Sequence, residues 1–300
     1  MRVKDLPVSR AAELLSGEGL RVRFGPCNIR ISSNYSPLLS DFYLLYASYE
    51  IAADEIADVH LQIRKARDLR RPFARLVSVL IDGHPELPVA HCDQAIAALQ
   101  QSINWVLVTR IFDLLNLRAA VVEKNGCALL LPAIGQQSEA AQIGIMLAYR
   151  GYRLVSGELA LLESASGKFC PLPGPVPVGH EVLAELGAVV QPSVSLLLPY
   201  GGAAAYVAAP AESVDRAQES VAASWIIVPQ RKQGARSVLT PLNRSEAFTL
   251  LASQSFNYEL LGASAFNALT QLVQRCECYK LVYSDLQSAL ALLSELTHEH

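Results

Sequence analysis

Charge is scarce in this chain. Asp, Glu, Lys and Arg make up 18% of its 300 residues, against roughly a quarter in ordinary globular proteins. Lysine is rarest, six against nineteen arginines, and the net charge is only −3. Without a strong basic excess, a global nucleic-acid footprint is excluded. Also missing is any uninterrupted apolar run of roughly 18 or more residues, the signature of a membrane helix. The most apolar region, 194–210, is broken by Pro199, Tyr200, Gly201 and Gly202. The opening MRVKDLPVSRAAELL holds no apolar core of the signal-peptide kind. The expectation is a soluble cytoplasmic protein with neither membrane nor nucleic acid as partner. Internal repeats and low-complexity linkers are absent as well.

The six cysteines, Cys27, Cys92, Cys127, Cys170, Cys276 and Cys278, lack the spacing of a disulfide framework. Cys276 and Cys278 stand alone, with no second pair or nearby histidine to complete a tetrahedral zinc site. Buried free thiols and no metal are expected there.

What is present is apolar content, at 51%, ample to offset the entropy of ordering a chain and so to exclude intrinsic disorder. The length suits one large or two ordinary domains. Residues 21–33 alternate around Gly25-Pro26, predicting two strands and a turn. A helix is expected over 37–46, strands over 59–63 and 76–81, the latter closed by Asp82-Gly83, and a long helix over 93–115 capped by Asp93. These define an N-terminal α+β module, 1–116. From Leu117, strands 119–123 and 127–131 flank Asn125-Gly126, a strong hairpin signal. A loop, a helix over 140–149 ended by Gly151, and a strand over 152–156 follow. Strand–loop–helix–strand is the layout of a phosphate-binding loop. Further strands are expected at 194–198, 225–228 and 278–283, helices at 245–252 and 263–274, and a final helix through Leu296 capped by Ser284. Residues 117–300 read as one α/β domain with a mixed sheet, and 133–141 as a solvent-facing loop.

The run VVEKNGCALLLPA and then YRGYRLVSGELALLE, followed by PLPGPV, SWIIVPQ, SFNYELLG and CECYKLVYSDL, with GLRVRFGP and SINW near the start, resembles the HPr kinase/phosphorylase superfamily, and within it the HprK-related kinase A group. The resemblance covers most of the chain. It implies an HPr-kinase-like (phosphoenolpyruvate-carboxykinase-like) P-loop core and an ATP site on a Gly-x-x-x-x-Gly-Lys-Ser/Thr loop. In such a loop glycines let N–H groups close on the phosphates, lysine supplies charge and a hydroxyl ligates Mg²⁺. Counting back from Arg150-Gly151, this chain has Ile134 at the first glycine, then Gly135, Gln136, Gln137 and Ser138, Glu139 at the second glycine, Ala140 at the lysine and Ala141 at the hydroxyl. A one-residue shift puts Glu139 on the lysine instead. Neither register restores the essential side chains, and Glu139 would repel phosphate. The acidic pair that the resemblance implies on the next strand reads Ser156-Gly157-Glu158, so Gly157 marks a lost acidic position and Glu158 is the one catalytic candidate left.

Blander readings stand beside these. Gly135 and Ser138 suit any loop, Glu139 suits the first turn of a helix, residues 156–158 suit a strand end, and a lone His180 after a proline-rich loop is more often structural or solvated than a base. Arg64, Lys65, Arg67, Arg70, Arg71 and Arg75 cluster with only Asp68 opposed, either a solvated loop or a surface for an anionic partner. The reading that follows is a pseudokinase: a degenerate nucleotide site, no cofactor, and a retained groove for a protein or peptide. The resemblance implies a peptide-maturation or related setting, a small peptide-chaperone protein of the pyrroloquinoline-quinone type as partner, and homo-oligomers. The alternative is an active serine or peptide phosphotransferase with an atypical loop, using ATP and Mg²⁺. Such an enzyme should bring compensating basic residues into its pocket, and Arg150 and Arg153 are the nearest in sequence. A third reading is a purely structural oligomerisation subunit.

Overall fold

The computed structural model describes residues 1–69, 73–134, 139–187, 190, 196–197 and 203–298. Along the chain these form α1 (Val8–Ser16), β1 (Leu20–Phe24), β2 (Cys27–Ser33), α2 (Leu38–Tyr46), β3 (Val59–Ala66), β4 (Leu76–Ile81), β5 (Ala90–His91), α3 (Ala95–Arg110), β6 (Leu114–Lys124), β7 (Cys127–Pro132), α4 (Glu139–Ala148), β8 (Arg153–Ser156), β9 (Leu159–Glu163), β10 (Phe169–Cys170) and β11 (Val176–Gly179). Then come α5 (His180–Leu186), β12 (Leu196–Leu197), β13 (Ala203–Val207), α6 (Ala211–Asp215), β14 (Ala223–Arg231), β15 (Val238–Pro241), α7 (Arg244–Ser253), α8 (Tyr258–Leu261), α9 (Ala263–Arg275), β16 (Glu277–Tyr283) and α10 (Leu286–His298). The class is α/β with mixed sheets.

Two compact units result, each discontinuous: Met1–Ile111 with Gly179–Ala208, and Phe112–Val178 with Ala209–His300. The expected division was 1–116 and 117–300.

The first unit holds a five-stranded sheet, β1-β2-β3-β4-β5. Only β2 and β3 run parallel, joined through α2, and the rest pair antiparallel. Apolar residues alternate inward, so Val22, Ile29, Ile31, Leu61 and Ile63 are fully buried while their neighbours face out. Asp82 and Gly83 take positive φ at the turn after β4. The long helix is shorter than expected. It ends at Arg110, and Leu114 and Leu115 belong to β6. Its N-cap is Gln94, not Asp93, which lies within a 3-10 turn, Cys92–Gln94, capped by His91.

The second unit is built on the order β10-β9-β6-β7-β14-β16-β15, with β8 also on β6. Strand β6 pairs with β9 through its first half and β8 through its second. Asn125 and Gly126 have φ of 54° and 83°, the left-handed pair that a tight hairpin needs. β14 runs parallel to both β7 and β16. Helix α4 packs against β6, β7, β8 and β14. A core of Leu117, Val121, Leu130, Val155, Phe169, Ile226, Leu269 and Cys276 lies under α7 and α9. The final helix is capped by Asp285, whose carboxylate accepts the Ser288 N–H at 2.8 Å. Ser284, the expected cap, instead accepts the N–H of Gly234 at 3.0 Å.

The expected solvent-facing loop over 133–141 is also corrected. Ala133, Ala140 and Ala141 are buried, because the chain is already helical at Glu139 and small side chains pack that first turn on the sheet. Gly135, Gln136, Gln137 and Ser138 lie outside the described residues, as do Arg70, Arg71 and most of the strand expected over 194–198. No helix among the described residues is long and apolar enough to cross a membrane.

Candidate functional site

Parallel strands leave a crevice beyond their carboxyl ends, where α/β proteins place ligands. Here β7 ends at Pro132, the Ala133 N–H is tied to the Arg118 carbonyl at 3.0 Å, and α4 begins at Glu139. Next to them lies the carboxyl end of β14. Between them is a cavity of about 380 Å³ lined by Ile134, Glu139, Val228, Pro229, Gln230, Arg231, Leu242, Glu246, Leu250 and Lys280. Sheet register sets part of this wall, since Lys280 of β16 lies opposite Val228 of β14. Helix α7 supplies Glu246 and Leu250, one turn apart on one face. Its start is fixed by Asn243, whose side chain accepts the Ser245 N–H at 2.9 Å.

Glu139 opens α4, where a negative charge meets the positive end of the helix dipole. Its carboxylate accepts the backbone N–H of Arg231 at 3.3 Å. Burial pushes its pKa above the usual carboxylate range, and the N–H and charge of Arg231 offset part of that rise. The cavity thus carries two cations, Arg231 and Lys280, two carboxylates, Glu139 and Glu246, and apolar walls. Sequence reasoning missed Arg231, Glu246 and Lys280. Lys280 falls within the run CECYKLVYSDL but had no role there, Arg231 and Glu246 belong to none of the quoted runs, and only strand pairing and helix packing bring the three to α4.

The arginines nearest in sequence go elsewhere. Arg150 donates to Gln287 of α10. Arg153 is buried, its Nε donating to Glu123 at 2.8 Å and its Nη1 to the carbonyls of Arg216 and Glu219 at 3.1 and 2.9 Å. Arg216 and Glu219 bond to each other beside them at 2.7 Å.

Glu158, half-buried, sits in the short link between β8 and β9, where its carbonyl accepts the Ala119 N–H at 3.0 Å. It does not line the cavity beside Glu139. Gly157 has a packing reason. A Cβ there would stand 2.6 Å from Val176 Cγ2 in the proline-rich stretch, so an acidic side chain has no room unless that stretch moves. His180 is exposed at the start of α5. Cys276 and Cys278 are buried free thiols; Cys276 donates to the Ala223 carbonyl at 3.2 Å, and burial pushes it up to about 12. Among the described residues no group of three or more His, Cys, Asp or Glu is placed to hold a metal.

In the first unit, Arg64, Lys65, Arg67 and Arg75 are exposed around the β3–β4 connection. Leu69 and Phe73 there are 98% and 97% exposed. Compared with known proteins, the chain matches no family model and no curated protein.

Proposed function

We propose that this chain is an HPr-kinase-like protein with a degenerate nucleotide site, a pseudokinase that binds a protein or peptide segment in the cavity beside Glu139. The observation that carries the reading is the charge balance of that cavity. Two cations face two carboxylates across apolar walls, so the site offers no surplus of positive charge for a polyphosphate. It suits instead a segment with an apolar side chain and both a donor and an acceptor, as a peptide has. Glu139 supports the same reading. Its carboxylate, at the start of α4, accepts the Arg231 N–H from the end of β14 and sets a negative charge beside the helix N-terminus that a phosphate would use.

A small peptide-chaperone protein in a peptide-maturation setting, a cytoplasmic location and a homo-oligomeric state belong to this proposal through the resemblance given above. The basic β3–β4 connection, with its exposed Leu69 and Phe73, is the further surface we assign to an acidic protein partner. The second reading, an active serine or peptide phosphotransferase using ATP and Mg²⁺ with Glu158 as base, is favoured by one observation. Arg231 and Lys280 do bring positive charge to the cavity.

Calorimetric titration with ATP and Mg²⁺ separates the two. Each missing charge-assisted contact is worth about 1.5–3 kcal/mol. The expected result is therefore no binding tighter than about 1 mM, roughly −4 kcal/mol. Micromolar binding, lost in Lys280→Ala, would replace the scaffold reading with the enzymatic one.

A further inference from the structure

The cavity beside Glu139 holds two opposite charges that do not close on each other. Glu246 of α7 and Lys280 of β16 both line it. Among the described residues neither side chain makes an ion pair or a hydrogen bond, with the other or with a third group. Arg231, by contrast, is engaged. Its N–H is taken by the Glu139 carboxylate at 3.3 Å. Its charge acts on Glu139, against the larger effect of burial, and on Asp285, behind the Ser288 hydrogen bonds that hold that carboxyl low. Glu139 and Arg231 are thus balanced within the protein, and Lys280 and Glu246 are the pair left to meet a ligand.

Different elements hold the two apart. β16 is an interior strand, so Lys280 lies opposite Val228 of β14 on one side and Thr240 of β15 on the other. The start of α7 is tied to the same strand. The Leu242 N–H donates to the Cys278 carbonyl at 2.8 Å, and Asn243 caps the helix directly after it. Glu246 and Leu250 follow at a spacing of four, on one face of α7. The apolar wall that the two charges share includes Val228, Leu242 and Leu250. Lys280 is half-buried and Glu246 exposed, so the cavity is entered from the Glu246 side.

A ligand of one sign leaves such a pair half satisfied. A polyphosphate would meet Lys280 but set its charge against Glu246 and Glu139, and a simple amine would do the reverse. A ligand with an ammonium and a carboxylate on one carbon, and an apolar group beside them, satisfies both charges through charge-assisted hydrogen bonds and the wall through burial. That ligand is an α-amino acid. The size agrees, since about 380 Å³ lies at the small end of the roughly 300–1,000 Å³ typical of small-molecule sites.

We propose that this cavity binds a free α-amino acid with an apolar side chain, its ammonium on Glu246 and its carboxylate on Lys280. The assignment rests on the reading of the cavity as a seat for an apolar side chain with a donor and an acceptor. It goes further in requiring both charges on one residue, so that a free amino acid competes with a peptide segment for the same seat.

The test is calorimetric titration of the full chain at pH 7 and fixed ionic strength with L-leucine, N-acetylleucine, leucinamide and N-acetylleucinamide. These carry both charges, the carboxylate alone, the ammonium alone and neither. One saturable site is expected for leucine, with each of the other three at least tenfold weaker. Lys280→Met should weaken leucine at least tenfold and leave leucinamide unchanged. Glu246→Gln should weaken leucine to the same degree and leave N-acetylleucine unchanged. If Lys280→Met fails to fold, Glu246→Gln decides, because Glu246 is exposed. No saturable leucine binding, or unchanged leucine affinity in a folded variant, would overturn the assignment. N-acetylleucinamide binding as tightly as leucine would overturn it too, while upholding the peptide reading. Micromolar ATP binding in the titration above would instead overturn that reading itself.

Discussion

Glu139 sits where a helix dipole favours a negative charge, yet burial works against it and prevails, since its pKa lies above the ordinary carboxylate value. Protonation is thus easier in the folded chain than in the unfolded one. The stability this contributes is full below the unfolded pKa and fades as pH rises through the folded one. Glu139→Gln keeps an acceptor for the Arg231 N–H without the desolvated charge. It should melt at a higher temperature than the parent at pH 7 and at the same temperature near pH 4; a lower melting temperature at pH 7 would refute this. Gly157 is the other informative residue. Gly157→Ala should cost about 1–3 kcal/mol, the usual penalty of overpacking, because its Cβ meets Val176. An unchanged urea midpoint would show that the proline-rich stretch yields freely. The sequence marks Gly157 only as a departure from a motif. Its packing partner, in a segment that doubles back, is invisible to spacing.

Among the elements, the β6–β7 hairpin was the most legible, because Asn-Gly is one of few dipeptides that accept two positive φ values in succession. Glu123 closes that hairpin by accepting the Gly126 N–H at 2.6 Å. It also holds Arg153 of β8, both side chains being about 95% buried. Removing one member of such a pair leaves an uncompensated charge, at a cost of about 3–5 kcal/mol. We expect Glu123→Ala to lose that much by chemical denaturation, and Glu123→Ala/Arg153→Met to lose clearly less than the two single variants summed. Strict additivity would mean that the pair is not coupled. The end of α3 was illegible for a physical reason. β6 is buried on both faces along most of its length, so its apolar run continues the helical spacing and carries no alternation to mark a strand. At the last helix, Ser284 and Asp285 are equally good caps by type. Only the claim of Gly234 on Ser284 decides between them. The cavity beside Glu139 was legible at α4 alone, since Glu139 and Arg231 are ninety-two positions apart.

For the whole molecule, composition sufficed to indicate a large apolar core, and the alternation of strands and helices sufficed for the α/β class. The discontinuity of the first unit was not readable, because neither spacing nor the apolar run at 194–210 tells which unit the segment 179–208 packs with. A fragment of residues 1–116 lacks a segment that belongs with it, and should melt at a lower temperature, by circular dichroism, than the intact chain. Equal melting temperatures would make that segment dispensable. The same discontinuity has a consequence during synthesis. Ribosomes add roughly 5–20 residues per second. The N-terminal sheet, complete by Ile111, must therefore wait about 5–20 s for Gly179–Ala208 while the first half of the other unit emerges. Over that interval the nascent chain exposes whatever surface the late segment will cover, a window in which a chaperone on the ribosome has most to protect.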